Sequence, residues 1–160
     1  MLLLKIYFHI IALCKVIFYK CIYVNQFSQT GYFSFRKGFT LVIESSGKVQ
    51  IGRGCFFNNY CSLVARDSIQ IGEGTLFGEN VKVYDHNHCY NKTEVPIKKQ
   101  GYITSPVVIG RHCWIASNVV ILKGVTIGNN SVIGAGCVIY KNIPDNTVVV
   151  NEQKLLYREV

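Results

Sequence analysis

Acidic residues are scarce in this chain of 160 residues, with nine Asp and Glu against seventeen Lys and Arg. The net charge of +8 favours anionic partners such as a phosphorylated cofactor, a lipid headgroup or a nucleic acid. Nucleic-acid motifs are also missing, since the sequence has neither zinc-finger spacing nor an RNP-type aromatic strand, so nucleic-acid binding is not expected. Only 16% of the chain is charged and 49% is hydrophobic, which disfavours disorder and indicates one domain with a sizeable core.

No two cysteines have the C-x-x-C spacing, although the chain contains seven. The odd number disfavours a disulfide framework, and the missing spacing disfavours a structural zinc site. We therefore expect the cysteines to be small buried hydrophobic residues of a protein in a reducing cytosol. They are Cys14, Cys21, Cys55, Cys61, Cys89, Cys113 and Cys137.

The apolar N-terminus lacks a long uninterrupted hydrophobic run. Lys5, His9, Lys15 and Lys20 divide it, and the longest stretch free of Lys and His in the first 24 residues covers residues 10–14. A membrane-spanning helix needs about 20 mainly apolar residues, and no small-residue cleavage site typical of a secretory signal follows. The four residues do not share one helical face. Two interpretations remain, a helix packed on the domain and a basic helix resting on a membrane surface.

An aliphatic residue recurs at every sixth position from residue 109 to residue 139, in the segments IGRHCW, IASNVV, ILKGVT, IGNNSV, IGAGCV and IYKNIP. An earlier array begins at Ile51 with IGRGCF, FNNYCS and LVARDS. It continues at Ile71 with IGEGTL, FGENVK and VYDHNH, after a two-residue slip at residues 69–70. A six-residue period fits neither the turn of an α-helix nor the alternation of a long strand.

This period predicts a chain that turns a corner every six residues. Each short strand carries its aliphatic side chain inward, and Gly or Asn occupies the corner because both tolerate a positive φ angle. Three segments form one triangular coil of about 18 residues, and stacked coils bury a continuous core. We therefore predict an all-β fold, a parallel β-helix over residues 39–158, preceded by an apolar and basic helical segment over residues 1–38.

The hexapeptide pattern resembles that of the hexapeptide-repeat acyltransferases. The resemblance covers residues 40–158 and is closest over residues 113–150, CWIASNVVILKGVTIGNNSVIGAGCVIYKNIPDNTVVV. This stretch is similar to the sugar O-acetyltransferases, which include galactoside and maltose acetyltransferases and enzymes of capsule, lipopolysaccharide and exopolysaccharide synthesis. The resemblance implies a left-handed β-helix, acetyl-CoA as donor substrate, and a homotrimer with active sites between its subunits.

The repeat is interrupted over residues 89–107, CYNKTEVPIKKQGYITSPV, which have no six-residue phase and include Pro96 and Pro106. Proline prevents regular strand pairing, and a long insertion in a regular solenoid is more often functional than accidental. We therefore expect an extruded loop here. In the family that the chain resembles, such a loop helps to enclose the active site of a neighbouring subunit.

Two histidines precede the insertion in the segment VKVYDHNHCYNK. Acetyl transfer to a hydroxyl needs a base that works near pH 7, which suits histidine. The family's base follows a segment of the form G/N-V-x-I/V-Y-T-A-T-H. An ungapped match places His88 in the base position, whereas a two-residue deletion would place His86 there. Asp85 or His86 would then orient or neighbour the base.

A metal site is not expected. The γ-class carbonic anhydrases share the β-helix but need three zinc-binding histidines, and beyond His86 and His88 only His112 lies in the repeat region.

The remaining site residues follow from the resemblance alone. Asn58 matches a family asparagine that contacts the acceptor, Asn59 would replace it if the register slips, and Asp85 is a second acceptor-binding candidate. The residues implied in CoA binding are Trp114 near the pantetheine arm, Ser117 and Ala135 through backbone groups, Lys141 near the phosphates, and Lys154 or Arg158 as additional charge. The chain departs from the family at Ala116, where Gly is usual, and at residues 151–154, which replace the usual G-N-P-A.

The sequence thus predicts an acetyl-CoA-dependent O-acetyltransferase that acts on a sugar hydroxyl in surface polysaccharide biosynthesis. The basic, apolar N-terminus favours a cytoplasmic protein at the inner face of the membrane and an acceptor that is polysaccharide or its lipid-linked precursor. Two alternatives stay open, namely N-acyl transfer to an amino-sugar nucleotide and a non-catalytic β-helix used for assembly. The interrupted repeat disfavours the second, because a scaffold does not need such an interruption.

Overall fold

The computed structural model describes residues 2–152 and 156–158, with side chains from residue 6 onward. It begins with one helix, α1 (Leu2–Ile22), and continues with short strands. In chain order these are β1 (Phe27–Gln29), β2 (Ser34–Phe35), β3 (Thr40–Ile43), β4 (Lys48–Ile51), β5 (Phe56–Phe57), β6 (Ser62–Ala65), β7 (Ser68–Ile71), β8 (Leu76–Phe77), β9 (Lys82–Tyr84), β10 (His86–His88), β11 (Tyr102–Thr104), β12 (Val107–Ile109), β13 (Trp114–Ile115), β14 (Val120–Ile121), β15 (Thr126–Ile127), β16 (Val132–Ile133), β17 (Val138–Ile139) and β18 (Val148–Val149).

All these strands except β10 and β11 form three parallel sheets around a common core. Sheet A contains β1, β4, β7, β12 and β15; sheet B contains β2, β5, β8, β13, β16 and β18; sheet C contains β3, β6, β9, β14 and β17. The chain passes from A to B to C and returns to A one coil further along. On sheet C, for example, Val120 lies opposite Lys82 of the previous coil and Val138 of the next. The parallel β-helix predicted from the repeat is confirmed.

The positions predicted to point inward form the core. Burying an aliphatic side chain of this size contributes about 1.5–3 kcal/mol. The buried aliphatics of the two arrays are Ile51, Leu63, Ile71, Val83, Ile109, Ile115, Ile121, Ile127, Ile133 and Ile139. Phenylalanines add to this core in the first three coils, with ring centroids 4.4 Å apart for Phe57 and Phe77 and 4.6 Å apart for Phe35 and Phe39.

Asn and Gly occupy many of the corners, as predicted. Asn118 (φ 60°) and Gly136 (φ 73°) adopt the left-handed backbone conformation in successive coils. His112 adopts it as well (φ 56°), so this histidine is a corner residue. Its Nε2 lies 3.9 Å from Oε1 of Glu73, and the carboxyl pKa of Glu73 is lowered chiefly by a hydrogen bond from Arg53.

The cysteines divide into two groups. Four are buried in the solenoid, namely Cys55, Cys61, Cys113 and Cys137. The Sγ atoms of Cys55 and Cys61 lie 3.1 Å from the backbone oxygens of Gly72 and Gly78, and burial raises the pKa of both thiols. Cys14 and Cys21 on α1 are exposed and Cys89 is partly exposed, so the prediction of buried cysteines holds only for the four in the solenoid.

The helix α1 lies against β1 and β2, the first strands of sheets A and B, and covers this end of the solenoid. Ala12, Val16 and Tyr19 form its buried face, and Nζ of Lys15 donates a hydrogen bond of 2.8 Å to the carbonyl oxygen of Phe39. The prediction of a helix packed on the domain is therefore met. Among the described residues, no helix is long and apolar enough to cross a membrane.

The solenoid and the extruded loop both begin earlier in the chain than the sequence predicts. Parallel pairing begins at β1, so residues 27–38 already belong to the solenoid. The extruded loop begins earlier than residue 89, because β10 pairs antiparallel with β11 and so leaves the coil. We call residues 86–104 the histidine hairpin; a short 3-10 helix, Ile97–Lys99, lies between its strands. Both histidines therefore belong to the extruded segment and not to the last coil strand before it.

Candidate active site

Asp85 is the buried anchor of the histidine hairpin. It follows β9, and it is fully buried. Its carboxylate accepts hydrogen bonds from the backbone N–H of Arg66 (2.9 Å) and of Asp67 (2.7 Å), both on the neighbouring coil. Its backbone oxygen accepts a hydrogen bond of 2.8 Å from the N–H of Ser105, where the hairpin returns to the coil. Asp85 therefore fixes both ends of the insertion to the solenoid.

The same carboxylate orients His86. Nδ1 of His86 lies 2.9 Å from Oδ1 of Asp85. Because a carboxylate only accepts hydrogen bonds, we assign the ring proton to Nδ1, which leaves Nε2 of the neutral ring with a lone pair. Only 13% of the His86 side chain is exposed, so the ring is held but still reaches the surface. This arrangement suits a general base.

Full burial excludes one expected role of Asp85. Its carboxylate oxygens are directed to Arg66, Asp67 and His86, and no part of the residue is exposed. The acceptor-binding role predicted for Asp85 therefore does not fit this structure, because an acceptor cannot reach these oxygens. The alternative, that Asp85 orients a histidine, is the one its contacts support.

His88 has a different environment. It points to the same side of β10 as His86, two residues away, and its side chain is exposed. Its ring centroid lies 4.4 Å from that of Tyr102, its partner across the hairpin. The carboxylate of Asp85 is hydrogen-bonded to His86 and not to His88. The geometry thus favours His86 as the base over His88, which the ungapped match favoured.

Arg66, on the neighbouring coil, packs on Tyr102 of the histidine hairpin, a contact that sequence analysis did not identify. We call this pair the clamp. The guanidinium carbon of Arg66 lies 3.4 Å from the ring centroid of Tyr102, and its Nη2 forms an ion pair with Glu44. The Tyr102 ring also contacts the edge of the His86 ring, with centroids 5.5 Å apart. The sequence gives one indication of an irregularity here, since the two-residue slip of the repeat at residues 69–70 follows Arg66 closely.

Asn58 lies at another corner of the triangular coil. It follows β5, between sheets B and C, and is partly buried. Its Oδ1 accepts a hydrogen bond of 2.9 Å from the backbone N–H of Asn59, a contact typical of a corner residue. His86 follows a strand of sheet C, so the width of that sheet separates the two residues within one chain.

Three of the predicted CoA contacts lie along sheet B and the corner that follows it. Trp114 is 55% exposed on the outer face, paired with Leu76 and Val132 on neighbouring strands. Ser117 and Ala135 stack at the corner, where the N–H of Gly136 donates a hydrogen bond of 2.9 Å to the backbone oxygen of Ser117. This edge thus combines an exposed indole with a run of small residues.

The basic residues predicted to bind CoA are dispersed. Lys141 is exposed after β17, at the corner between sheets C and A, which is also where the histidine hairpin leaves the coil. Arg158 is exposed in the C-terminal segment, and Lys154 lies outside the described residues. Within residues 2–152 and 156–158, no group of three or more His, Cys, Asp or Glu side chains could hold a metal ion.

Comparison with known proteins agrees with this architecture. Residues 106–141 match the family model described as bacterial transferase hexapeptide (six repeats). WbbJ of Escherichia coli (strain K12), provisionally named a lipopolysaccharide biosynthesis O-acetyl transferase, is 31% identical over 150 residues, which cover 85% of this chain and 74% of WbbJ. The chain belongs to the bacterial hexapeptide-repeat transferase family.

Solved structures of hexapeptide-repeat transferases superpose on most of the chain. The acetyltransferase VCA0836 of Vibrio cholerae O1 biovar eltor, complexed with acetyl coenzyme A, is 28% identical with a TM-score of 0.68, over 80% of this chain and 68% of its own. A maltose O-acetyltransferase of Clostridium difficile 630 is 30% identical with a TM-score of 0.64, over 81% of this chain and 67% of its own. The fold predicted from the repeat is confirmed, and so are the family and the acetyltransferase activity that the resemblance implied.

Proposed function

We propose that this protein is an acetyl-CoA-dependent O-acetyltransferase that acts on a sugar hydroxyl. The observation that carries the proposal is the Asp85–His86 pair at the base of the extruded hairpin. A buried carboxylate that fixes one ring nitrogen of a surface histidine is the arrangement that a general base needs. The similarity to O-acetyl transferases supports the reaction class.

The reaction needs one base. The acceptor hydroxyl oxygen attacks the carbonyl carbon of the acetyl thioester while Nε2 of His86 takes the hydroxyl proton. Asp85 stabilises the resulting imidazolium through Nδ1, 2.9 Å away. The carbon–sulfur bond then breaks and the imidazolium returns the proton to the departing thiolate. The products are an O-acetyl sugar and free CoA, and no acyl-enzyme is required.

The active form would be a homotrimer with its sites between subunits. In one chain, sheet C separates the hairpin from the edge that carries Ser117 and Ala135, so one chain holds the base and the proposed CoA edge apart. The outer face of sheet B supports such an assembly. It presents a continuous row of apolar side chains in register across the coils, namely Phe56, Leu76, Trp114, Val132 and Val148. Rows of this kind mark association surfaces.

The acceptor would be a unit of a surface polysaccharide or its lipid-linked precursor, modified in the cytoplasm at the inner face of the membrane. The lipopolysaccharide role in the name of WbbJ supports the acceptor class. Acetyl-CoA would lie along Trp114, Ser117 and Ala135 of one subunit, and Lys141 would reach its phosphates from the neighbouring subunit, because Lys141 lies on the edge that carries the hairpin.

The test is acetyl transfer by the purified protein to a panel of sugars and oligosaccharides. Release of the CoA thiol gives the rate, and mass spectrometry of the product identifies an added acetyl group and whether it sits on oxygen or nitrogen. His86→Ala protein serves as the control. Failure to bind CoA by calorimetry and to transfer acetyl to any sugar would reject the proposal, and an N-acetyl product would reject the O-acetyl assignment.

A further inference from the structure

The helix α1 has a second apolar face that points away from the solenoid. We call it the outer face and define it by Ile6, Ile10, Leu13, Ile17 and Phe18. These side chains are 47% to 62% exposed. They lie opposite the inner face of Ala12, Val16 and Tyr19, which packs on the first coil. A soluble helix normally presents polar residues on the side away from the core, so the outer face is an unpartnered apolar surface.

The charge around this face has one sign. The first 43 residues contain no Asp or Glu, and the first acid in the chain is Glu44. Lys20 is exposed at the C-terminal end of α1. Lys37 is exposed on the first coil, where it lines a cavity together with Tyr7 of the helix, whereas the guanidinium carbon of Arg36 lies 5.5 Å from the ring centroid of Phe56 on the second coil. An exposed apolar stripe is therefore flanked by cations with no acid nearby in sequence.

We propose that the outer face docks on the surface of an anionic lipid bilayer, with α1 lying in the plane of the interface. Apolar side chains would enter the boundary between headgroups and acyl chains, while Lys20 and Lys37 contact anionic headgroups. A second copy of the chain fits this face less well, because each copy would bring the same positive charge to the contact.

The inner face explains why docking would not disturb the fold. Ala12, Val16 and Tyr19, with the hydrogen bond from Lys15 to Phe39, hold α1 on the solenoid without help from the outer face. The helix also covers the end of the solenoid. In the proposed trimer, a threefold axis along the coils would set three outer faces in one plane, and their binding would be multivalent. The proposal for a single chain does not depend on that trimer.

The test is flotation of the full chain with two kinds of vesicle, phosphatidylcholine alone and phosphatidylcholine with about one third phosphatidylglycerol. The wild-type protein is expected to float with the anionic vesicles and less with the neutral ones, and added salt should weaken the binding. Ile10→Ser/Ile17→Ser protein should bind at least about tenfold more weakly, because both side chains are more than half exposed and their apolar contact with lipid is lost.

Ile97→Ser is the matched control, since Ile97 is 54% exposed in the histidine hairpin, far along the chain from α1. It should float like the wild type. Calorimetry with CoA on the wild type and the double variant separates this proposal from the proposed function, because CoA binding should be equal for these two proteins. Wild-type protein that floats with neither vesicle, or a double variant that floats like the wild type, would overturn the proposal. So would a lipid-free self-association that the double substitution abolishes.

Discussion

At the scale of single residues, His86 and His88 are distinguished by one hydrogen bond. Asp85 accepts it from His86, whereas His88 is exposed and packs on Tyr102. We expect His86→Ala to lower kcat by about two to four orders of magnitude and His88→Ala to lower it much less. The measurement is the initial rate of CoA thiol release at saturating acetyl-CoA. A larger loss for His88→Ala would make that residue the base.

Asp85→Asn should separate the orienting role of the carboxylate from its structural role. An amide offers one acceptor oxygen and would direct an NH₂ group at Arg66, Asp67 or His86, which all donate hydrogen bonds to this side chain. We expect the free energy of unfolding to fall by about 1–3 kcal/mol in urea at fixed protein concentration. We also expect kcat to fall about a hundredfold with KM for acetyl-CoA nearly unchanged.

Thr75→Val is the matched control for this loss of stability. Thr75 is also fully buried, and its Oγ1 donates a hydrogen bond of 2.8 Å to the backbone oxygen of Gly110, at a corner away from the hairpin. Thr75→Val should lower the free energy of unfolding without changing kcat, measured at a temperature where Thr75→Val and Asp85→Asn are both folded. An equal fall in kcat for both variants would mean that Asp85 acts on stability alone.

The contacts that favour His86 over His88 could not be predicted from the sequence, for a physical reason. An ungapped match counts positions along the chain and assumes that the coil continues to His88. The structure ends the coil at Tyr84 and pairs His86 with Thr104 across the hairpin. The hydrogen bonds that make Asp85 an anchor come from Arg66 and Asp67, far away in sequence, so a local pattern could not reveal them.

At the scale of elements, the histidine hairpin depends on the stacking of Arg66 on Tyr102. A cation–π contact at an exposed site contributes about 0.5–1 kcal/mol, which is enough to bias the position of a two-stranded hairpin. We expect Tyr102→Ala to lower kcat about tenfold, because the ring that packs against both histidines is lost. CoA affinity by calorimetry should be unchanged.

Tyr90→Ala provides the comparison within the same hairpin, since Tyr90 is 75% exposed. Its kcat should equal that of the wild type. If both tyrosine variants lose activity to the same extent, the clamp would have no special role and the hairpin would depend on its aromatic residues in general.

The six-residue period predicted most of the elements and missed the first two strands, β1 and β2. Where Ile recurs every six residues, from Ile109 to Ile139, each predicted strand is present and its aliphatic is buried. In the first coil, which β1, β2 and β3 form, Phe33, Phe35 and Phe39 fill the core, so no six-residue aliphatic phase exists there. The core accepts a ring or an aliphatic side chain as long as the volume is filled.

At the scale of the whole molecule, one chain carries two halves of the proposed site on different edges. His86 projects near the corner between sheets C and A, and Ala135 lies at the corner between sheets B and C. In a cyclic trimer the same pair of surfaces meets at each of three contacts. The proposal therefore predicts that light scattering will give a particle of three times the chain mass of 18.1 kDa. It also predicts that two different inactive variants will recover activity when they assemble into one trimer.

The two variants are His86→Ala, which lacks the base, and Ala135→Trp, which places a large ring on an exposed position of the proposed CoA edge. Each should be inactive alone. Coexpressed with different tags and purified as mixed trimers, they should regain about one third of wild-type activity, because one contact in each mixed ring joins an intact histidine to an intact CoA edge. A site contained within a single chain would leave every mixed trimer inactive, since each subunit would then carry a defect in its own site.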